Sequence, residues 1–214
     1  MKTLRNFSEI LNEGAIALQD KAADANAFAA ILKKYNGIKE VNPPGKNNHG
    51  PDVEAIQKRV GLNAGQPWCQ AFVYTVFDDF CKQKGIPNPV PKVGGVLNHW
   101  NMAPSDSKIT REQAIADPTK VKAGQVFAKS SPARGASAGH TGIVIGVTAD
   151  GSSFMTLDGN SSDSVVVRTY KMSMPGLKGF VDYFQDPEFG NLVAQAAASL
   201  SGMTIAPSGP AKEF

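Results

Sequence analysis

Cys69 and His140 are the two side chains in this chain whose surroundings suit nucleophilic chemistry. Cys69 follows Pro67-Trp68 and opens a stretch with helical apolar spacing: Phe72, Val73, Val76, Phe77 and Phe80. A sulfur at a helix start lies near unpaired backbone N–H groups and the positive end of the helix dipole, and both favour the thiolate. Most free cysteines are simply small buried hydrophobes, and Cys81, among Phe77 and Phe80, reads that way. His140 stands in Ala138-Gly139-His140-Thr141-Gly142, directly before Ile143-Val144-Ile145. A histidine on the first residues of a strand presents its ring to a cleft while the strand holds it, as a general base requires. The plainer alternative is a surface histidine beside a Ser/Ala/Gly-rich loop. His49, in a Pro/Asn/Gly loop, and His99, beside Trp100, have weaker contexts.

Asp158-Gly159-Asn160 ends the strand expected after His140. A carboxylate or amide there can hold the imidazole by its second nitrogen and set its tautomer. Taken by itself the stretch is turn-forming, and whether Asp158 or Asn160 orients His140 stays open. The three positions are far apart in sequence, so only a fold can assemble them. A zinc site from Cys69, His140 and Asp158 lacks the paired short spacings of metal sites, and no metal is expected.

The elements that must position these groups follow from hydrophobic periodicity. Residues 7–35 have helical spacing, Pro51 opens a short helix ending near Gly61, and residues 67–84 form an apolar helix stopped by Gly85. Thr110-Arg111-Glu112-Gln113 fits a capping box. Residues 125–130, 141–148, 153–158, 165–170 and 178–184 then read as strands separated by Gly/Ser/Asp turns. Helices first and a run of adjacent strands afterwards predict an α+β domain, its N-terminal helices packed on an antiparallel sheet of about five strands. The expected domain spans residues 1–189, with residues 1–40 the less distinctive start. Residues 190–214, rich in Ala, Ser, Gly and Pro, read as a tail or a loosely attached helix, and as a mere appendage they would leave a soluble domain on removal.

Composition narrows the partners. The chain has 214 residues, 42% hydrophobic and 19% charged, which suits one globular domain. Its formal charge of +3 comes without a Lys/Arg run, so nucleic acid is not an expected partner. No apolar stretch approaches the ~18–20 residues of a membrane-spanning helix. Cys69 and Cys81 fall in one helix about 18 Å apart, too far for a disulfide. The N-terminal Met1-Lys2-Thr3-Leu4-Arg5-Asn6 is positive with no apolar stretch behind it. Cytoplasmic synthesis without a Sec-type signal is the expectation.

The segment Gly65-Gln66-Pro67-Trp68-Cys69-Gln70-Ala71-Phe72-Val73 resembles the nucleophile motif of the CHAP family, cysteine- and histidine-dependent amidohydrolases/peptidases related to NlpC-type cell-wall peptidases. The resemblance extends through Asn48-His49-Gly50-Pro51 upstream, and through Gly139-His140-Thr141-Gly142 and Asp158-Gly159-Asn160 to Gly179-Phe180-Val181 downstream. It implies a papain-like fold, Cys69 as nucleophile and His140 as general base. Asp158 stands where the family often has Glu, with Asn160 as its polar partner two residues on. Trp68 and Gln70, beside the nucleophile, are the expected substrate contacts. The family's Gly-Asp-hydrophobic strand start is Gly124-Gln125-Val126 here, a departure expected to touch a structural contact rather than the chemistry.

The implied activity is cleavage of a peptidoglycan amide, by an N-acetylmuramoyl-L-alanine amidase or a peptide-stem endopeptidase, with no metal or organic cofactor. The implied setting is a monomeric phage-type lysin, or an injected antibacterial effector with a cognate immunity protein, brought to the wall or periplasm by a route other than Sec. A non-catalytic wall-binding module of the same fold and a cysteine hydrolase of a non-wall amide are the rival readings.

Overall fold

The computed structural model describes residues 16, 18, 20–131 and 138–198. The helical spacing expected over residues 7–19 falls largely outside them. Helix α1 (Lys21–Tyr35) begins at Asp20, whose side chain accepts from the backbone N–H groups of Ala22 and Ala23, both at 3.1 Å. Its apolar face, Phe28, Ile31, Leu32 and Tyr35, is buried. Helix α2 (Pro51–Arg59) carries proline at its first position, with Asp52 and Glu54 in the first turn. Helix α3 (Cys69–Lys84) is the central helix, with Phe72, Val73, Val76, Phe77 and Phe80 all without solvent exposure.

Two elements were not legible in the sequence. Helix α4 (Val96–Met102) has no side-chain cap, and it is held by burying Val96 and His99. Strand β1 (Lys108–Thr110) has three half-buried residues and exists through its pairing with a later strand. Helix α5 (Arg111–Ala116) follows, with the capping box between Thr110 and Gln113 in both directions.

Strands β2 (Val126–Ser130), β3 (Gly139–Val147), β4 (Ser153–Asp158), β5 (Val166–Lys171) and β6 (Leu177–Val181) complete an antiparallel sheet ordered β1-β6-β2-β3-β4-β5. β1 is thus a sixth, edge strand beyond the five expected. Neighbouring residues serve opposite faces, as the two-residue strand period requires. Val126, Ile143, Leu157 and Val181 join the core under α1 and α3. Phe127, Val144, Phe154 and Phe180 join a second cluster with Ala114 of α5.

The boundary expected after Phe189 lies inside helix α6 (Pro187–Ala198). Phe189 and Val193 have no solvent exposure and Ala197 has 6%, so residues 190–198 pack against the domain instead of trailing from it. Residues 199–214 lie outside the described region. The packing partner is aromatic: Phe28 of α1 meets Phe77, Phe80, Phe184 and Phe189 edge-on, with ring centroids 5.1–6.4 Å apart.

Phe189→Ala should therefore lower stability by about 3–5 kcal/mol, the usual cost of emptying a buried phenylalanine site. A chain ending after Phe189 should melt at lower temperature than the full chain. Denaturant and thermal unfolding followed by circular dichroism check both, and an unchanged midpoint for the shortened chain would restore the tail reading.

Candidate active site

Cys69 is the first residue of α3, preceded by Trp68 in a non-helical conformation that offers no side-chain cap. The first-turn N–H groups of α3 thus face the site without a side-chain acceptor from the cap position. Cys69 is 5% exposed and packs with Val96 of α4 and Ala128 of β2, while Trp100 leans on the same cluster half-exposed. Trp68, expected to touch substrate, is instead wholly inside the protein. Its Nε1 donates to Glu40 Oε1 at 2.9 Å, which fixes the turn entering the helix. Gln70, the other expected substrate contact, is also fully buried, and its amide has no hydrogen-bond partner among the described residues. Both side chains point away from solvent because the first turn of α3 is pressed into the domain.

His140 is the second residue of β3, registered opposite Lys129 of β2. Its Nε2 lies 2.8 Å from Asp158 Oδ2, and its ring also interacts with the Cys69 side chain. With Nε2 donated to the carboxylate, the contact with sulfur falls to Nδ1. The Phe127 ring meets the imidazole edge-on at 5.9 Å. Asp158, the last residue of β4, is completely buried. Its Oδ2 accepts a second hydrogen bond, from the Tyr170 hydroxyl on β5 at 2.6 Å. Asn160 sits two residues on with φ +56° and no hydrogen bond to His140 among the described residues, so the orienting contact left open by the sequence is made by Asp158.

Two glycines explain the motifs around these residues. Gly142 shares a face with His140, and a Cβ there would collide with Asp158 Oδ1, so the missing side chain is the space the carboxylate occupies. A Cβ on Gly159 would lie 2.5 Å from Phe72 Cβ and 2.9 Å from Trp68 Cζ3, so this glycine lets the end of β4 close onto the start of α3. The sheet and the nucleophile helix meet here.

The electrostatics of His140 result from opposing forces. Burial alone would lower its pKa, but hydrogen bonds and charge from Asp158 and Cys69 outweigh this and raise it to about 10. The imidazole is therefore cationic at neutral pH, between a carboxylate and a sulfur. The other histidines do not join this group. His99 is buried against the Tyr183 hydroxyl at 2.7 Å and its pKa is pushed down to about 4, by burial first and then by Lys108. His49 faces Glu54 at 3.2 Å in its loop. Cys81 is buried in α3 with its thiol pushed up to about 12, chiefly by desolvation, and is inert at neutral pH. Gln125, the departure noted in the sequence, donates to Lys120 O at 3.0 Å and Asp182 Oδ2 at 3.1 Å and accepts from Lys122 N. It is a structural tie between loop and β6.

Sequence reasoning missed Tyr170 and Glu40. Tyr170 lies in a strand where an aromatic is ordinary, and only the register of β5 on β4 could have pointed to it. Glu40 precedes a loop with no periodic signal.

An apolar helix with a cysteine at its start, set on an antiparallel sheet that supplies a histidine and a carboxylate from adjacent strands, is the papain-like arrangement of cysteine hydrolases. Residues 61–160 match the family model of the CHAP domain. CHAP domains are generally cysteine- and histidine-dependent amidohydrolases associated with peptidoglycan. Neither the curated proteins nor the solved structures contain a match to the chain.

The raised pKa of His140 has a consequence for stability. A histidine whose folded pKa exceeds its unfolded value of about 6.5 stabilises the fold fully below that value and loses the contribution as pH climbs. The stability gap between wild type and Asp158→Asn should therefore shrink from about pH 6.5 toward pH 10. Denaturant melts across that range check it, and a gap that widens would contradict the assignment.

Proposed function

We propose that the protein hydrolyses an amide bond of peptidoglycan, either between muramic acid and L-alanine or within the peptide stem, through a covalent thioester. The observation that carries this reading is the assembly of Cys69, His140 and Asp158 into one buried hydrogen-bonded line inside the CHAP match. The His140 imidazole, protonated at neutral pH, stands beside the sulfur that attacks as a thiolate.

The thiolate attacks the amide carbonyl, and the developing oxyanion is met by the first-turn N–H groups of α3, that of Cys69 foremost. His140 then delivers its proton to the departing amine, the C–N bond breaks, and the acyl group remains on sulfur. Water enters, His140 takes one of its protons, and hydrolysis of the thioester restores the ion pair. Asp158 holds the ring throughout. The mildly basic chain suits an anionic wall. A monomer delivered to the wall as a lysin, or as an injected effector countered by an immunity protein, belongs to the same proposal.

Purified peptidoglycan incubated with wild type should release new fragments whose masses identify the bond, while Cys69→Ala should release none. Intact muropeptides from folded wild type would transfer the activity to another amide. In the pH profile, kcat/KM should fall on the alkaline side near pH 10 as the imidazolium loses its proton. Asp158→Asn should lower turnover by about 10²–10⁴-fold and move that limb to lower pH, because the group that raises the histidine pKa is gone. A limb that stays in place would remove Asp158 from its assigned role.

A further inference from the structure

Four adjacent strands each place one polar or charged side chain in the same neighbourhood: Lys129 on β2, His140 on β3, Asp158 on β4 and Tyr170 on β5. The Asp158 carboxylate is used asymmetrically. Oδ2 accepts from both His140 Nε2 at 2.8 Å and Tyr170 OH at 2.6 Å. Oδ1 is buried against the Gly142 position and has no hydrogen-bond partner among the described residues. Histidine alone does not determine which oxygen faces it, since a half-turn of the carboxylate offers an equivalent acceptor. A second donor on one oxygen, fixed from another strand, removes that freedom.

Tyr170 is itself well fixed. Its ring lies 5.1 Å from Phe127 and 5.7 Å from Phe154, and the Lys129 ammonium stands 5.9 Å from its centroid. A phenol facing a carboxylate can only donate, so its proton is committed to Asp158.

We propose that Tyr170 is a positioning residue of the cysteine–histidine pair: its hydroxyl locks the Asp158 carboxylate in the rotamer that aligns His140 on Cys69, and draws off part of the carboxylate's charge. The inference rests on the thiolate–imidazolium reading above, but not on the identity of the substrate. The groups that bear on the imidazole are Cys69 from α3, Lys129 from β2, Asp158 from β4 and Tyr170 from β5. Among them Tyr170 alone adjusts the acceptor without carrying charge itself. Removing its proton donor leaves the whole carboxylate charge to His140, so the histidine should hold its proton more tightly. The same removal frees the carboxylate to rotate, so turnover should drop.

The test is Tyr170→Phe, which deletes one oxygen from a packed ring. The His140 titration is read by NMR of imidazole-labelled protein without substrate, beside kinetics on whichever amide the wild type cleaves. The expected result is a His140 midpoint shifted upward by about half a unit, roughly a threefold gain in proton affinity. In the kinetics kcat should fall about tenfold and KM should be nearly unchanged, the pattern of lost alignment rather than lost binding. A His140 midpoint that is unchanged or lower overturns the proposal, as does a variant with wild-type kcat. A fold defect is recognised separately, because it would move the His99 and His49 resonances as well; in that event 3-fluorotyrosine at position 170, a stronger donor, must lower the His140 midpoint or the proposal fails. If wild type leaves peptidoglycan intact yet the His140 midpoint responds as stated, the substrate assignment has failed and the role of Tyr170 stands.

Discussion

Asp158 has no contact with water, and a carboxylate held there must find its compensation within hydrogen-bond distance or give up its charge. It finds a histidine on one neighbouring strand and a tyrosine on the other. That requirement shapes much of the surrounding backbone. Gly142 must lack a side chain so that the carboxylate fits, and Gly159 must lack one so that the strand end reaches the helix carrying the nucleophile. The Gly-His-Thr-Gly and Asp-Gly-Asn motifs are thus packing solutions to a buried charge as much as catalytic signatures. Replacing any one partner strands the others, because a buried charge without its counterpart costs several kcal/mol.

The start of the Cys69 helix is held by a separate set of contacts. Glu40 binds Trp68 Nε1 with one oxygen, and Asn48 N and the Asn42 side chain with the other. The segment around Glu40 pairs in turn with the β4–β5 connection, through Gly37 with Val165 and Glu40 with Asp163. One extended stretch therefore connects the residue before Cys69 with the turn just after Asp158-Gly159-Asn160. That turn carries three non-glycine residues in left-handed conformation, Asn160, Ser162 and Asp163, and Arg168 braces it through the Ser161 and Ser162 hydroxyls. Helix and sheet are registered at the site from two sides, by side-chain packing at Gly159 and by backbone pairing at Glu40.

What the sequence made legible was the periodic part. The long apolar helix after Trp68, the capping box at Thr110 and five of the six strands carry their own local signals, and so does the order cysteine, histidine, acid. The unreadable elements are those that exist only by tertiary contact. Helix α4 has no cap and β1 only three residues, yet α4 supplies the wall against Cys69. Trp68 and Gln70 illustrate a second limit: being next to a nucleophile in sequence does not mean facing its substrate, because consecutive helical residues are rotated about 100° apart. The open choice between Asp158 and Asn160 was not decidable from spacing, since the two stand two residues apart at the end of one strand; the carboxylate that occupies the space beside Gly142 makes the contact. The expected domain end at residue 189 falls inside a helix for a compositional reason. Alanine-rich sequence looks weakly attached, yet Phe189 and Val193 line a helix face that joins the Phe28 aromatic cluster.

Burying the reacting groups has opposite effects on affinity for protons and on access. Cys69 and His140 retain only 5% and 8% exposure, so water screens the charges around the imidazole poorly and His140 keeps its proton to alkaline pH. The same enclosure limits access: of the groups packed on Cys69, Val96 and Ala128 are buried and Trp100 is half-exposed. The packing that shields the pair from water is thus the packing that limits access to it.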